Sequence, residues 1–250
     1  MMRAPDAAEL LDLWERGLTQ SLPRRAIGLL RAAWPETTDA DLLALPLGLR
    51  DARLLALRRH LFGPDLTIVA PCPACGDTVE STFQVDEVLL PEVVVNAGRA
   101  TRVLEREGYV ITFRLPACGD LLTLSDAPRA EAAGPREQLL ALCVIDLRRA
   151  DGAPVEMASV PESVSAAIAA DMAAADPQAD VQLACICPSC GKTWDTLFDI
   201  ASVLWSEIHA WARRLLRDVH ALARAYGWRE ADVLALSPTR RQIYLELSRP

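Results

Sequence analysis

Residues 6–60 set apolar against polar positions with a helical period. Ala8, Leu11, Leu13, Trp14 and Leu18 form one stripe. Pro23 stands where a second helix starts, Ala26, Leu29, Leu30 and Ala33 continue it, and Pro35 ends it. Thr38 opens a Thr-Asp-Ala-Asp run that predicts a capped short helix. In the next helix Leu49, Ala52, Leu54, Leu55, Leu57 and Leu61 share a face, and Gly63-Pro64 stops it. From Leu66 the period changes to two. Leu66–Ala70 reads as a strand, and Thr78–Val85 alternates through Val79, Phe83 and Val85. Val93–Val95, Arg102–Leu104 and Tyr109–Leu115 predict further strands, with turns at Asn96–Gly98 and Gly108. Helices are expected at about 136–146 and 161–175, then a break at Asp176-Pro177 and a strand over Val181–Ile186. A long helix over 199–226 closes the pattern. Leu204, Ile208, Trp211, Leu215, Val219, Leu222 and Tyr226 step along it by three and four, and Gly227 caps its end. A short helix at 229–236 and one from Pro238 follow.

Two short turns interrupt the strand-like part. Cys72-Pro73-Ala74-Cys75-Gly76 and Cys187-Pro188-Ser189-Cys190-Gly191 are the same Cys-Pro-x-Cys-Gly knuckle. Such a turn aims two sulfurs at one point, and the glycine supplies the left-handed backbone that closes it. One copy is a weak signal; two matched copies are a strong one. The likeness extends beyond the cysteines: Thr78 matches Thr193, Phe83 matches Phe198, Val85 matches Ile200, and Val88-Leu89 matches Val203-Leu204. The repeat predicts two hairpins meeting across one structural zinc held by Cys72, Cys75, Cys187 and Cys190. Free surface thiols and a redox Cys-x-x-Cys are the competing readings.

The expected fold class is therefore α+β, with helical N- and C-terminal regions around a small β-rich core carrying a split zinc ribbon. The boundaries are 1–64, 65–198 and 199–250. With 250 residues, half of them apolar, there is room for a sizeable core. A net charge of -8 argues against a protein that coats nucleic acid. The charge is uneven: residues 199–250 carry 8 basic and 6 acidic side chains, against 5 and 12 in residues 120–198. No run is long and apolar enough to span a membrane, and the acidic amphipathic N-terminus does not read as a signal peptide. The expectation is a cytoplasmic protein whose cysteines are thiols or ligands.

Cys118, in a Pro-Ala-Cys-Gly-Asp echo of the first knuckle, lacks a partner cysteine and reads as a buried or loop thiol. Cys185 reads as a packing thiol and Cys143 as core. His60, His209 and His220 are isolated, and no nucleophile, acid–base pair or phosphate loop emerges. The chain reads as a non-enzyme without a small-molecule substrate. Trp205 and Trp211 on the long helix, with Arg240, Arg241 and Tyr244 in the last one, are candidate partner contacts.

Four segments together resemble a known family: LPLGLRDARLLALRRHLFGP, FRLPACGDLLTL, DPQADVQLACICPSCG, and LWSEIHAWARRLLRDVHALARAYGWREADVLALSPTRRQIYLEL. They resemble the baseplate hub assembly chaperone family of T-even-type phages, in the zinc-knuckle form associated with contractile tails and extracellular contractile injection systems. The likeness runs from roughly residue 45 to 248. It implies an assembly factor or minor structural component of a contractile baseplate, acting on hub or spike proteins and possessing no catalytic residues. Such a protein works in the bacterial cytoplasm or within the finished particle. The alternative is a zinc-ribbon nucleic-acid-binding or transcription accessory protein, a class in which paired knuckles are common.

Overall fold

A computed structural model describes residues 2–91, 101–127 and 134–248. The N-terminal periodicity resolves into four helices: α1 (Ala7–Gly17), α2 (Leu22–Ala33), α3 (Asp39–Leu43) and α4 (Leu47–Phe62). Asp6 and Glu9 close a reciprocal capping box on α1, and the Thr38 hydroxyl accepts from the Asp41 amide to cap α3. Strands β1 (Asp65–Pro71) and β2 (Thr78–Gln84) pair antiparallel around the first knuckle and lead into α5 (Val85–Val88). The strand and turn expected over 93–98 lie outside the described residues.

Next come β3 (Arg102–Arg106), β4 (Tyr109–Phe113), α6 (Cys118–Asp126), α7 (Pro135–Cys143), β5 (Val144–Arg149) and α8 (Glu162–Ala175). The helix expected over 136–146 stops at Cys143. From Val144 the chain pairs with β4 instead, giving a sheet of order β3-β4-β5. The β-branched pair Val144-Ile145 suits that change, since both side chains lose freedom in a helix and pack well on a pleated sheet. Strands β6 (Gln182–Ile186) and β7 (Thr193–Leu197) flank the second knuckle. Then α9 (Ile200–Tyr226), α10 (Glu230–Leu234) and α11 (Pro238–Leu247) complete the α+β architecture.

The largest core unites both ends of the chain. Leu30, Leu54, Leu57, Leu66, Val85, Leu204 and Ile208 are all fully buried in it. Each large aliphatic side chain so buried contributes roughly 1.5–3 kcal/mol. A second core forms where Ile111 and Phe113 of the three-stranded sheet meet Cys143, Val164 and Ile168. Beside this first core Arg58 is 3% exposed and gives a two-pronged ion pair to Glu207, fastening α4 to α9.

The segment holding the second core is clasped at both ends. Gln178 accepts from the Leu90 amide and donates to the Val88 carbonyl, 2.7 and 3.2 Å away. Two residues earlier, an Asp176 carboxylate oxygen accepts from the Gly48 amide at 2.8 Å, in the first turn of α4. The helix N-terminus favours an anion there.

Asp51, in the same helix, is 8% exposed and hydrogen-bonded to Arg50 at 2.7 Å. Burial pushes its carboxyl up to about 6, outweighing the pull of Arg50. The folded chain therefore holds a proton that the unfolded chain releases near pH 4. The resulting stabilisation is complete below about pH 4 and is lost as pH rises to about 6, a change of about 3 kcal/mol. Urea unfolding of wild type and Asp51→Asn across this window should show the wild type losing that much ground relative to the variant. Parallel curves would refute the assignment.

Candidate metal centre

Each knuckle is built by its own six-residue turn. In the first, the Cys72 amide donates to the Asp77 carbonyl and the Gly76 amide to the Cys72 carbonyl, at 2.8 and 2.9 Å. In the second, Cys187 donates to Lys192 and Gly191 to Cys187, both at 2.9 Å. Gly76 and Gly191 have φ of 77° and 72°, which side-chain-bearing residues seldom adopt. The first cysteine of each knuckle is buried and the second exposed.

The two hairpins face each other through equivalent residues. Cys72 Sγ lies 3.7 Å from Cys190 Sγ, and Cys75 Sγ lies 3.6 Å from Cys187 Sγ. Exchanging the two halves of the repeat maps the first pair onto the second. Val79 and Trp194, which occupy matching positions, pack with Cys72 and Cys187 beneath the sulfurs. The matching Phe83 and Phe198 meet edge to face with centroids 5.7 Å apart. The hairpins are thus related by a local two-fold of the isologous kind.

All four sulfurs lie within 4.8 Å of one another, so these cysteines could hold a metal ion. The spacing fits zinc: four thiolates bound at about 2.3 Å around a tetrahedron stand about 3.8 Å apart. It also exceeds the roughly 2 Å of a disulfide. The electrostatics ask for a cation. Burial pushes Cys72 up, but the amides of Cys75 and Ala74 and the neighbouring thiols outweigh it and bring it down to about 6. The Asp77 amide favours ionised Cys75, yet burial and the thiols of Cys187, Cys190 and Cys72 raise it to about 12. One sulfur ionises readily and its neighbour then resists a second negative charge, a conflict that a bound divalent ion removes.

The remaining cysteines differ. Cys118 begins α6, Cys143 ends α7, and burial pushes both thiols up to about 11, which keeps them protonated at neutral pH. Cys185 is 3% exposed, on β6. No other group of histidine, cysteine or carboxylate side chains among the described residues gathers as a metal site.

The five candidate contact residues are scattered by the structure. Trp205 is 8% exposed and lies over Gly17, where an added Cβ would stand 2.1 Å from its ring; Arg25 covers the ring at 4.5 Å. Arg241 is buried as well. Trp205 is thus packed inside this chain, whereas the buried Arg241 keeps one guanidinium nitrogen, Nη1, without a hydrogen-bond partner among the described residues. Trp211 is half-buried against α1, and Arg240 is exposed. Tyr244 is half-buried in an aromatic group with Tyr226 and Trp228.

A family model described as T4 bacteriophage base plate protein matches residues 29–205. The chain belongs to that family. The matched span takes in both knuckles, both hairpins and the clasped segment between them. No curated protein and no solved structure matches the chain. Membership gives this baseplate protein a structural or assembly role in the phage baseplate, in contact with other baseplate proteins. Among the described residues no helix is long and apolar enough to cross a membrane.

Proposed function

We propose that this baseplate protein is a non-enzymatic assembly factor or minor structural component, working through contacts with hub or spike proteins of a contractile particle. The observation that carries the reading is the family match over residues 29–205. On this reading Cys72, Cys75, Cys187 and Cys190 hold one structural zinc. Four thiolates leave no open coordination position, so the ion supplies rigidity and charge neutralisation. It fixes the helical region 1–64, the β-rich core 65–198 and the helical region 199–250 about one point. The protein is made in the bacterial cytoplasm and acts there or within the particle.

Deleting the gene in a particle-producing strain should leave particles absent or without a complete baseplate under the electron microscope, and hub or spike proteins should co-purify with the tagged chain. Normal, infective particles from the deletion strain would refute the role. Metal analysis of freshly purified, reduced protein should find about one zinc per chain; a metal-free protein would refute the ion. A salt-dependent shift of DNA or RNA at sub-micromolar protein would favour the zinc-ribbon nucleic-acid alternative.

A further inference from the structure

We propose that the groove between α1 and α9 seats an acidic amphipathic helix of a partner protein. The groove has a volume of about 750 Å³. Its floor is apolar: Trp14, Leu18 and Leu216, with Leu18 45% and Leu216 37% exposed. The Trp14 indole N–H donates to Nδ1 of His209 at 3.1 Å, which fixes the ring at the base. One wall carries Arg213, Arg214 and Arg217, on neighbouring turns of α9.

The arginines say what covers this floor. Elsewhere Arg31, Arg58, Arg102 and Arg114 each reach a carboxylate within 2.7 Å. Among the described residues, Arg213, Arg214 and Arg217 pair with none. Asp218 on the same helix feels the charge of Arg241 first and then those of Arg217 and Arg214, and is bonded to none of them. Arg217 Nε donates to the Arg213 carbonyl at 3.1 Å. On a chain of net charge -8, three adjacent guanidiniums without a carboxylate partner beside exposed leucines are a local reversal of sign. An acidic partner would be repelled by most of the surface and drawn to this part of it. The shape decides the rest: a groove bounded by helices accepts a helix whose apolar positions recur at i, i+3, i+4 and i+7. Such a ligand places leucine-like residues on Trp14 and Leu18 and carboxylates on the arginines, which grip them with paired N–H donors.

That the helix belongs to a baseplate protein rests on the function proposed above; the chemistry of the groove does not. The test uses the full-length chain and a synthetic 20-residue helical peptide with leucines on one face and glutamates on the other. Titration calorimetry should detect binding that weakens with salt. Arg213→Glu combined with Arg217→Glu should weaken it by about tenfold or more, as should Leu18→Asp, while zinc content and circular dichroism stay unchanged. A lysine-for-glutamate version of the peptide should not bind. Equal binding of both peptides, or no loss in the charge-reversed variant, would overturn the proposal. So would tighter binding of duplex DNA or of phosphatidylserine vesicles than of the acidic peptide. Because the peptide assay needs no particle, its failure is distinct from a failure of the deletion phenotype.

Discussion

Replacing Cys187 by serine should abolish tight zinc binding and melt both hairpins. The knuckle ends of the hairpins contain little else to hold them. Two isolated strands are marginal in water, and the cluster beneath the sulfurs consists of Cys72, Val79, Cys187 and the half-buried Trp194. Coupled metal binding and folding at a four-cysteine site is worth about 10–16 kcal/mol, as much as the whole net stability of an ordinary domain. The damage travels from there. Leu66 of β1 and Phe198 after β7 are core residues shared with the helices, so freed hairpins loosen the junction of α4 and α9. The expected result is loss of the metal, a red shift of Trp194 emission and a large fall in the melting temperature. Cys75→Ser should lose zinc as well, because a missing thiolate opens the tetrahedron wherever it stood. Cys118→Ala and Cys185→Ala should keep one zinc. A Cys187→Ser protein that retains the ion and melts with the wild type would exclude a metal held by these four sulfurs. Stripping the wild-type protein with a strong zinc chelator should reproduce the variant's melting curve, which separates loss of the ion from damage done by the substitution.

What the amino-acid sequence discloses about this molecule divides along the range of the forces involved. Each knuckle is specified within six residues by cysteine, proline and glycine, so its turn can be read directly. Their meeting across more than a hundred residues is readable only because the second copy repeats Thr78, Phe83 and Val85 as Thr193, Phe198 and Ile200. The long stripe of α9 is also plain, for its 3.6-residue period outlasts any local exception. Strand β5 is different. Val144 continues the apolar run of α7, and only the edge of β4, thirty-one positions away by the Phe113 to Val144 pairing, turns it into a strand. Local pattern does not contain that partner. Trp205 shows the same limit from the other side. Its place beside the α9 stripe suggests an interface, but the space that swallows it is the missing side chain of Gly17 on a distant helix. The arginines of the α1–α9 groove are visible as a basic run at 213–217, whereas the apolar floor they border needs Trp14 and Leu18 from the opposite end of the chain. The four-sulfur cluster belongs to the first kind of feature and the docking groove to the second.

Among the described glycines, Gly48→Ala should be the most damaging addition of a methyl group. An alanine Cβ at this position would lie 1.8 Å from one carboxylate oxygen of Asp176 and 2.6 Å from its Cγ, well inside van der Waals contact. The carboxylate cannot simply swing away. It is 3% exposed at the end of α8, its other oxygen accepts from the Gly48 amide, and Gln178 just beyond is locked to Leu90 and Val88. The oxygen nearest the new methyl already lacks a hydrogen-bond partner among the described residues. Burial, more than the opposing pull of the Gly48 amide and Arg50, raises the Asp176 carboxyl above its ordinary value. Displacing it forfeits a charge-assisted cap on α4 and leaves a buried acid unpaired, a combined cost of about 3–5 kcal/mol. Alanine otherwise suits a helix better than glycine by up to about 1 kcal/mol. The sign of the effect therefore depends on Asp176. Asp176→Ala alone should destabilise by about 2 kcal/mol through the lost cap and the space left behind. In that background Gly48→Ala should be neutral or slightly stabilising, because the methyl then enters the space the carboxylate vacated. Chemical denaturation of the four proteins closes the cycle, with an expected coupling of about 3 kcal/mol or more. Additive losses would mean that Gly48 and Asp176 do not share this contact, and that the clasp joining the sheet-bearing segment to the helical core lies elsewhere.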